Sequence, residues 1–226
     1  MGIQIIQGNI FTTNCKVIVN TVNCVGVMGA GIALECRLRY PEMFEKYYKL
    51  CDTKKMEIGK LWLYRSTEKW VLNFPTKVHW KLASKPEYLH KGLQKFVASY
   101  KEKEITSIAF PLLGADKGTI PPDISLDIMQ HYLRNIPIDI EIYKYDPKAK
   151  DDLYDYIKKL LFSLNIDDIS KRSGIKANYI NKILNAMHSE HITQLNQLAK
   201  VDGVGIKSLE KIFTFSRETR KQLPLF

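Results

Sequence analysis

Over the first 145 residues, short β-rich runs alternate with helical patterns, and this alternation constrains the fold more than any other feature of the chain. Runs at Ile3–Gln7, Val17–Thr21, Lys60–Arg65, Val71–Phe74, Ser107–Pro111 and Ile138–Tyr143 predict strands. Helical spacing predicts helices over Gly31–Arg39, Pro41–Cys51, Pro86–Tyr100 and Ile124–Leu133. The third puts Leu89, Leu93, Phe96, Val97 and Tyr100 on one face and begins at Pro86, a residue suited to a first turn. Strands interleaved with helices predict an α/β fold whose parallel or mixed sheet is sandwiched by helices. "VIVN" and "IAFPLL" are unbroken apolar runs, as in strands buried on both faces, whereas "IDIEIY" alternates like a strand nearer the edge.

After "YKYDPKAKDD" the strand pattern stops. Pro147 and its charged flank mark a linker, which predicts an α/β domain over residues 1–147 and a small all-α region over 148–226. The segments "DDLYDYIKKLLFSLN", "IDDISKRSGI", "KANYINKILNAM", "ITQLNQLAKV" and "IKSLEKIFTFSRETR" predict successive short helices. No internal repeat or low-complexity tract is apparent at this level.

No apolar run approaches the ~18 residues of a membrane span. The start "MGIQIIQGNI" lacks the basic and long apolar regions of a signal peptide, and its sixth residue is not the Ser/Thr of a myristoylation signal. A cytoplasmic protein without membrane contact is the expectation. Cys15, Cys24, Cys36 and Cys51 form no CxxC pair, which predicts reduced thiols and neither a metal site nor a disulfide framework. The net charge of +10 favours a polyanionic partner, and residues 169–226 carry 10 basic against 4 acidic residues.

Two loops have the composition of ligand cradles. "NTVNCVGVMGAGIA", Asn20 to Ala33, leaves one strand and enters a helix through Gly26, Gly29 and Gly31. Bare backbone at a helix N-terminus suits a phosphate or diphosphate, although glycine turns are also ordinary strand-to-helix connectors. There is no Walker A and no GxGxxG spacing. "FPLLGADKGTIPP" repeats the design with Gly114 and Gly118, so that two loops from neighbouring strand ends can clamp a diphosphate from both sides.

The succession "QGNIFTTNCKVIVNTVN", "GVMGAGIALECRLRYPEMFEKY" and "FPLLGADKG" resembles a macrodomain, the ADP-ribose-binding fold, over residues 1 to about 145. The segment "NFPTKVHWKLASKPEYLHKGLQKF" is similar to macrodomains of the DarG antitoxin type. The resemblance implies a three-layer α/β/α domain with a mixed sheet. It implies a hydrolase that removes ADP-ribose from nucleotide bases, thymidine first, in single-stranded DNA and counteracts a DarT-like toxin. No cofactor is implied. Carried over position by position, it makes Lys77 and Asp116 catalytic. The ADP-ribose contacts it implies are Asn9, Ile10, Asn20, Asn23, Gly26, Val27, Met28, Gly29, Gly31, Thr76, Leu113, Gly114, Ala115, Lys117 and Gly118. An amine at Lys77 can attack C1″ of the opened distal ribose or stabilise charge as the glycosidic bond breaks. Asp116 can act as acid/base or orient the leaving group, and Asn23 can bind distal ribose hydroxyls. Read as bare residues, Lys77 is a solvated loop lysine and Asp116 a turn aspartate. The chain departs from the family at Asn9, where macrodomains usually carry an aspartate for the adenine amino group; asparagine accepts the same hydrogen bond without the charge. His79 is a weaker candidate base, and Trp80 reads as packing or as a stacking platform.

In the tail, "LNQLAKVDGVGIKSLEKIF" has the form of a helix-hairpin-helix in which Gly203, Gly205, Lys207 and Ser208 meet DNA phosphate. "IDDISKRSGIKANYINKIL" resembles a helix-turn-helix less specifically, with Gly174 at the turn. A helix–helix turn in a small bundle, or a docking surface for the toxin, remains open for both. The last residues, Gln222, Leu223, Leu225 and Phe226 of "QLPLF", resemble a sliding-clamp-binding peptide. The competing functional readings are a non-catalytic reader of ADP-ribose or ADP-ribosylated DNA, and a hydrolase of ADP-ribose esters on proteins or small molecules.

Overall fold

The computed structural model describes residues 2–222, and side chains to residue 219. The chain divides into two compact units, Met1–Asp146 and Pro147–Phe226. The first contains six strands: β1 (Ile3–Gly8), β2 (Val17–Asn23), β3 (Trp62–Tyr64), β4 (Trp70–Lys77), β5 (Ser107–Pro111) and β6 (Asp139–Tyr145). They form one mixed sheet in the order β1-β6-β5-β2-β4-β3. Every neighbouring pair is parallel except β3 against β4. The helices α1 (Gly31–Arg39), α2 (Pro41–Asp52), α3 (Pro86–Ser99) and α4 (Pro122–Leu133) cover its two faces.

The alternation of side chains along a strand explains the layering. Val17 and Val19 of β2 join Phe74, Leu93, Phe96, Phe110 and Met129 in a core beneath α3 and α4. On the opposite face, Val22 joins Met28, Cys36, Met43 and Tyr47 beneath α1 and α2. The apolar run of β2 therefore lies mid-sheet, buried on both faces, and the alternating run of β6 lies one place from the edge, as expected.

Most boundaries shift by one to three residues from expectation, and two of the shifts have a plain physical reason. β4 continues past Phe74 to Lys77, through Pro75. β3 pairs only with Val71, Leu72 and Asn73, so a strand residue without an N–H is tolerated beyond that point. α4 begins at Pro122 rather than Ile124, since proline fits the first turn of a helix.

The second unit contains α5 (Asp152–Phe162), α6 (Ile166–Ser173), α7 (Ala177–His188), α8 (Leu195–Leu198) and α9 (Ile206–Gln222). The Asp151 carboxylate caps α5, accepting from the Leu153 and Tyr154 amides at 3.1 Å each. The structure reveals a repeat not apparent from the sequence. Asn165 and Gln194 cap α6 and α8, and Gly174 and Gly203 then turn the chain at φ 65° and 77°. Ile169 and Leu198, Ile175 and Val204, Ile180 and Leu209, Ile183 and Ile212 are buried pairs, each 29 positions apart like the two glycines. With few identities between the halves, the shared pattern is one of burial, caps and backbone. The clamp-like peptide falls outside the described residues apart from Gln222, the last residue of α9.

Candidate functional site

Because β1, β2, β4, β5 and β6 run parallel, their carboxyl ends emerge along one edge of the sheet. Open α/β sheets bind ligands there. The connections 9–16, 24–30, 78–85 and 112–121 all leave from this edge. Asn23 and Lys77 are direct partners at the end of the β2–β4 ladder, which the Cys24 amide prolongs by donating to the Val78 carbonyl at 3.2 Å.

The first glycine loop is held from within by Asn23. Its Oδ1 accepts from the Val25 and Val27 amides at 3.0 and 3.2 Å, and its Nδ2 donates to the Val27 carbonyl at 2.5 Å. Tyr47 of α2 donates its hydroxyl to the Asn23 carbonyl at 2.7 Å. Met28 is fully buried and fastens the middle of the loop, while Val27, Gly29 and Ala30 stay exposed. Gly31 opens α1 at φ +55°, and a Cβ there would meet nothing within 4 Å. Ala30 at the N-cap makes no side-chain hydrogen bond, so the first-turn N–H groups have no capping side chain. An uncapped helix N-terminus of this kind suits an anion.

The second loop is tied tightly to itself. The Ile120 amide donates to the Gly114 carbonyl at 3.0 Å and the Thr119 amide to Ala115 at 2.8 Å. Ser125 of α4 donates its hydroxyl to the Leu113 carbonyl at 2.7 Å. Only glycine fits at 118: a Cβ would lie 2.1 Å from the Gly114 carbonyl oxygen. Gly118 in turn accepts from the Ser84 amide at 2.9 Å, which joins the loop to the β4–α3 connection.

Lys77 sits where these parts meet, as the last residue of β4 and not in the loop after it. Its Nζ donates to the backbone carbonyl of Lys117. Partial burial pushes its pKa below that of an ordinary lysine; Asp116 raises it in part, and Lys117 lowers it further. Asp116 and Lys117 are exposed and in marginal contact, 4.0 Å apart.

The remaining expected contacts are placed as follows. Asn9 is buried and caps the 3-10 turn Ile10–Thr12, its Oδ1 accepting from the Phe11 amide at 3.1 Å; Ile10 is buried beside it. Asn20 lies fully buried in mid-strand below the first loop, donating to Asn73 Oδ1 at 2.9 Å. Among the described residues its own Oδ1 has no partner. Thr76 is buried one residue before the lysine. His79 stacks on Trp80 at 5.7 Å with Trp80 half exposed, so the indole is not a packing residue. Burial raises the Cys24 thiol to about 11, with Cys51 and Glu57 adding to the effect, which keeps it protonated and a poor nucleophile near neutral pH. Sequence reading missed Tyr47, Asn73 and Ser84. They act only through contacts across the fold, and no local pattern marks them.

In the second unit, Gly203 and Gly205 lie on the turn before α9, and Lys207 and Ser208 are among its first residues. Gly203 and Gly205 are exposed. No cluster of three His, Cys, Asp or Glu able to hold a metal is present among the described residues. Among them, too, no helix is long and apolar enough to cross a membrane.

Comparison with known proteins agrees with this geometry. The family model "Macro domain" matches residues 19–129. A DNA ADP-ribosyl glycohydrolase of Thermus aquaticus is 35% identical over 150 residues, 64% of this chain and 41% of that protein. The chain thus spans about two fifths of the length of the curated relatives it matches. The structure titled "Macrodomain of Mycobacterium tuberculosis DarG" is 37% identical with a TM-score of 0.61, covering 62% of this chain and 96% of that one. "Thermosipho africanus DarTG in complex with ADP-ribose" is 30% identical with a TM-score of 0.62, covering 66% of this chain and 43% of that one. The family model and the solved macrodomains, one of them 37% identical and covered over 96% of its length, agree with the six-stranded mixed sheet between helices: the chain belongs to the macrodomain family.

Proposed function

We propose that the protein is a glycohydrolase that removes ADP-ribose from nucleotide bases in DNA, thymidine first, and so acts as antitoxin to a DarT-like ADP-ribosyltransferase. The observation that carries this reading is the place of Lys77. An amine with a lowered pKa, held at the mouth of a diphosphate cradle, is more than a binding module needs. The diphosphate would lie between the open N-terminus of α1 and the second loop. The distal ribose would then reach Asn23 and Lys77, and the adenine would approach Asn9. The relatives named DNA ADP-ribosyl glycohydrolase support the substrate class, and a Thermosipho africanus relative named as a fusion of transferase and glycohydrolase supports the toxin as partner.

Lys77 acts at C1″ of the distal ribose, with Asp116 positioned to handle the proton or orient the leaving base. Incubation with an ADP-ribosylated single-stranded oligonucleotide and with an ADP-ribosylated protein tests the reading. Release from the oligonucleotide is expected. Release from the protein alone would replace DNA as substrate, and release from neither would leave a binding module.

The basic helical unit supports DNA as partner, through the hairpin bearing Gly203, Gly205, Lys207 and Ser208. If deleting it leaves affinity for unmodified DNA unchanged, the unit is better read as a docking surface for the toxin. The clamp-binding reading of Gln222, Leu223, Leu225 and Phe226 rests on sequence alone. A pull-down with the sliding clamp, with and without the last five residues, tests it.

A further inference from the structure

The duplicated hairpins are packed by exchange. α6 of the first packs against α9 of the second, and α7 of the first against α8 of the second, while α5 packs against both α7 and α9. Two equivalent lysines cross over in the same way. Lys211 on α9 donates to the Gly174 carbonyl at 2.7 Å, and Lys182 on α7 lies over Gly203, its Nζ 2.3 Å from where a Cβ would be. Each turn is thus braced by the other hairpin's second helix, in a pseudo-two-fold relation.

We propose that this unit clamps the backbone of duplex DNA, the Gly174 turn engaging one strand and the Gly203 turn the other. The proposal deepens the reading of the unit as DNA-binding and rests on it. Buried repeats are explained by packing, but Lys171 and Lys200 repeat at the same interval and both are exposed, where packing asks nothing of them. Lys176 and Lys207 add exposed cations just after the turns. Arg172 and Ser173 of the first hairpin line one shallow cavity with Lys207 and Lys211 of the second; Glu210 and Glu218 also border it. The two strands of a duplex are related by local dyads, so a surface with its own pseudo-dyad presents one turn to each strand. A single strand has no such symmetry. Contacts of this kind fix position without reading sequence.

The test uses the full chain and an unmodified labelled duplex of about 20 base pairs, with each strand alone as control, titrated by fluorescence anisotropy across salt. The duplex is expected to bind at least tenfold tighter than either strand. Lys176→Glu in the first hairpin and Gly205→Val in the second should each weaken it about tenfold and flatten its log–log salt slope. Gly205 suits the purpose because a Cβ there meets nothing within 4 Å, so the substitution blocks a phosphate without disturbing the fold. Unchanged circular dichroism and melting would confirm folding. Absence of binding by the wild-type chain would overturn both the DNA reading of this unit and the clamp. Wild-type binding with an inert Lys176→Glu, or with single strands bound as tightly, would overturn the clamp alone and leave one working hairpin.

Discussion

Lys77 at the end of β4 donates its ammonium hydrogen bond to the backbone carbonyl of Lys117, one residue past Asp116 in the β5–α4 loop. A single contact thus joins two segments 40 residues apart and ties the amine to the loop that carries Asp116. The acceptor is main chain, so the loop's backbone path positions the lysine whatever side chain stands at 117.

That placement makes the amine's titration predictable in sign. Burial lowers the Lys77 pKa below 10.5, and the negative charge of Asp116 works against the shift. Asp116→Asn removes the opposing influence, so the pKa should fall further; Lys117→Ala removes a neighbouring cation, so it should rise. Carbon-detected NMR titration of the lysine side chains measures both. Identical midpoints in the two variants would show that Asp116 and Lys117 do not sense the amine.

Removing the amine should stop the chemistry and spare binding. Lys77→Ala is expected to lower release of ADP-ribose from modified DNA by at least about a hundredfold, while ADP-ribose affinity stays within a few-fold. Lys77→Arg keeps the positive charge but cannot supply a free amine, and should be as inactive as the alanine variant. An active arginine variant would make the residue an electrostatic stabiliser instead of a nucleophile.

The glycine loops should confer ligand binding on the protein as a whole. ADP-ribose at about 100-fold above its Kd should stabilise the chain by roughly 2–3 kcal/mol. Thermal unfolding with millimolar ADP-ribose measures this. No shift, together with no calorimetric heat, would remove ADP-ribose as ligand.

Two structural residues should affect the site from a distance. Tyr47→Phe deletes the hydroxyl that tethers Asn23, at a cost of about 1 kcal/mol in stability and with weaker ADP-ribose binding. Gly118→Ala drives a methyl group into the Gly114 carbonyl and should cost about 1–3 kcal/mol. Chemical denaturation reads the stability changes, and calorimetry reads the binding loss for Tyr47→Phe. Full affinity in the tyrosine variant would mean that the loop holds its shape without the tether.

Periodicity and turn chemistry, which are local, were enough to read much of this protein from its sequence. The strands alternating with helices, the buried β2 and the two glycine loops all follow from neighbours in the chain, whereas the lysine of "NFPTK" stood out only through the resemblance to macrodomains. The tertiary structure decided what depends on distant partners. β4 extends to Lys77 because β2 pairs with it as far as Asn23, while β3 stops opposite Asn73 and leaves Pro75 with no ladder to break on that side. Asn23 spends its amide on its own loop because Tyr47, from another helix, holds its carbonyl in place. The repeat in the helical unit stayed hidden because packing conserves burial, caps and a left-handed turn, not residue identity, and those become visible only when the helices lie against one another.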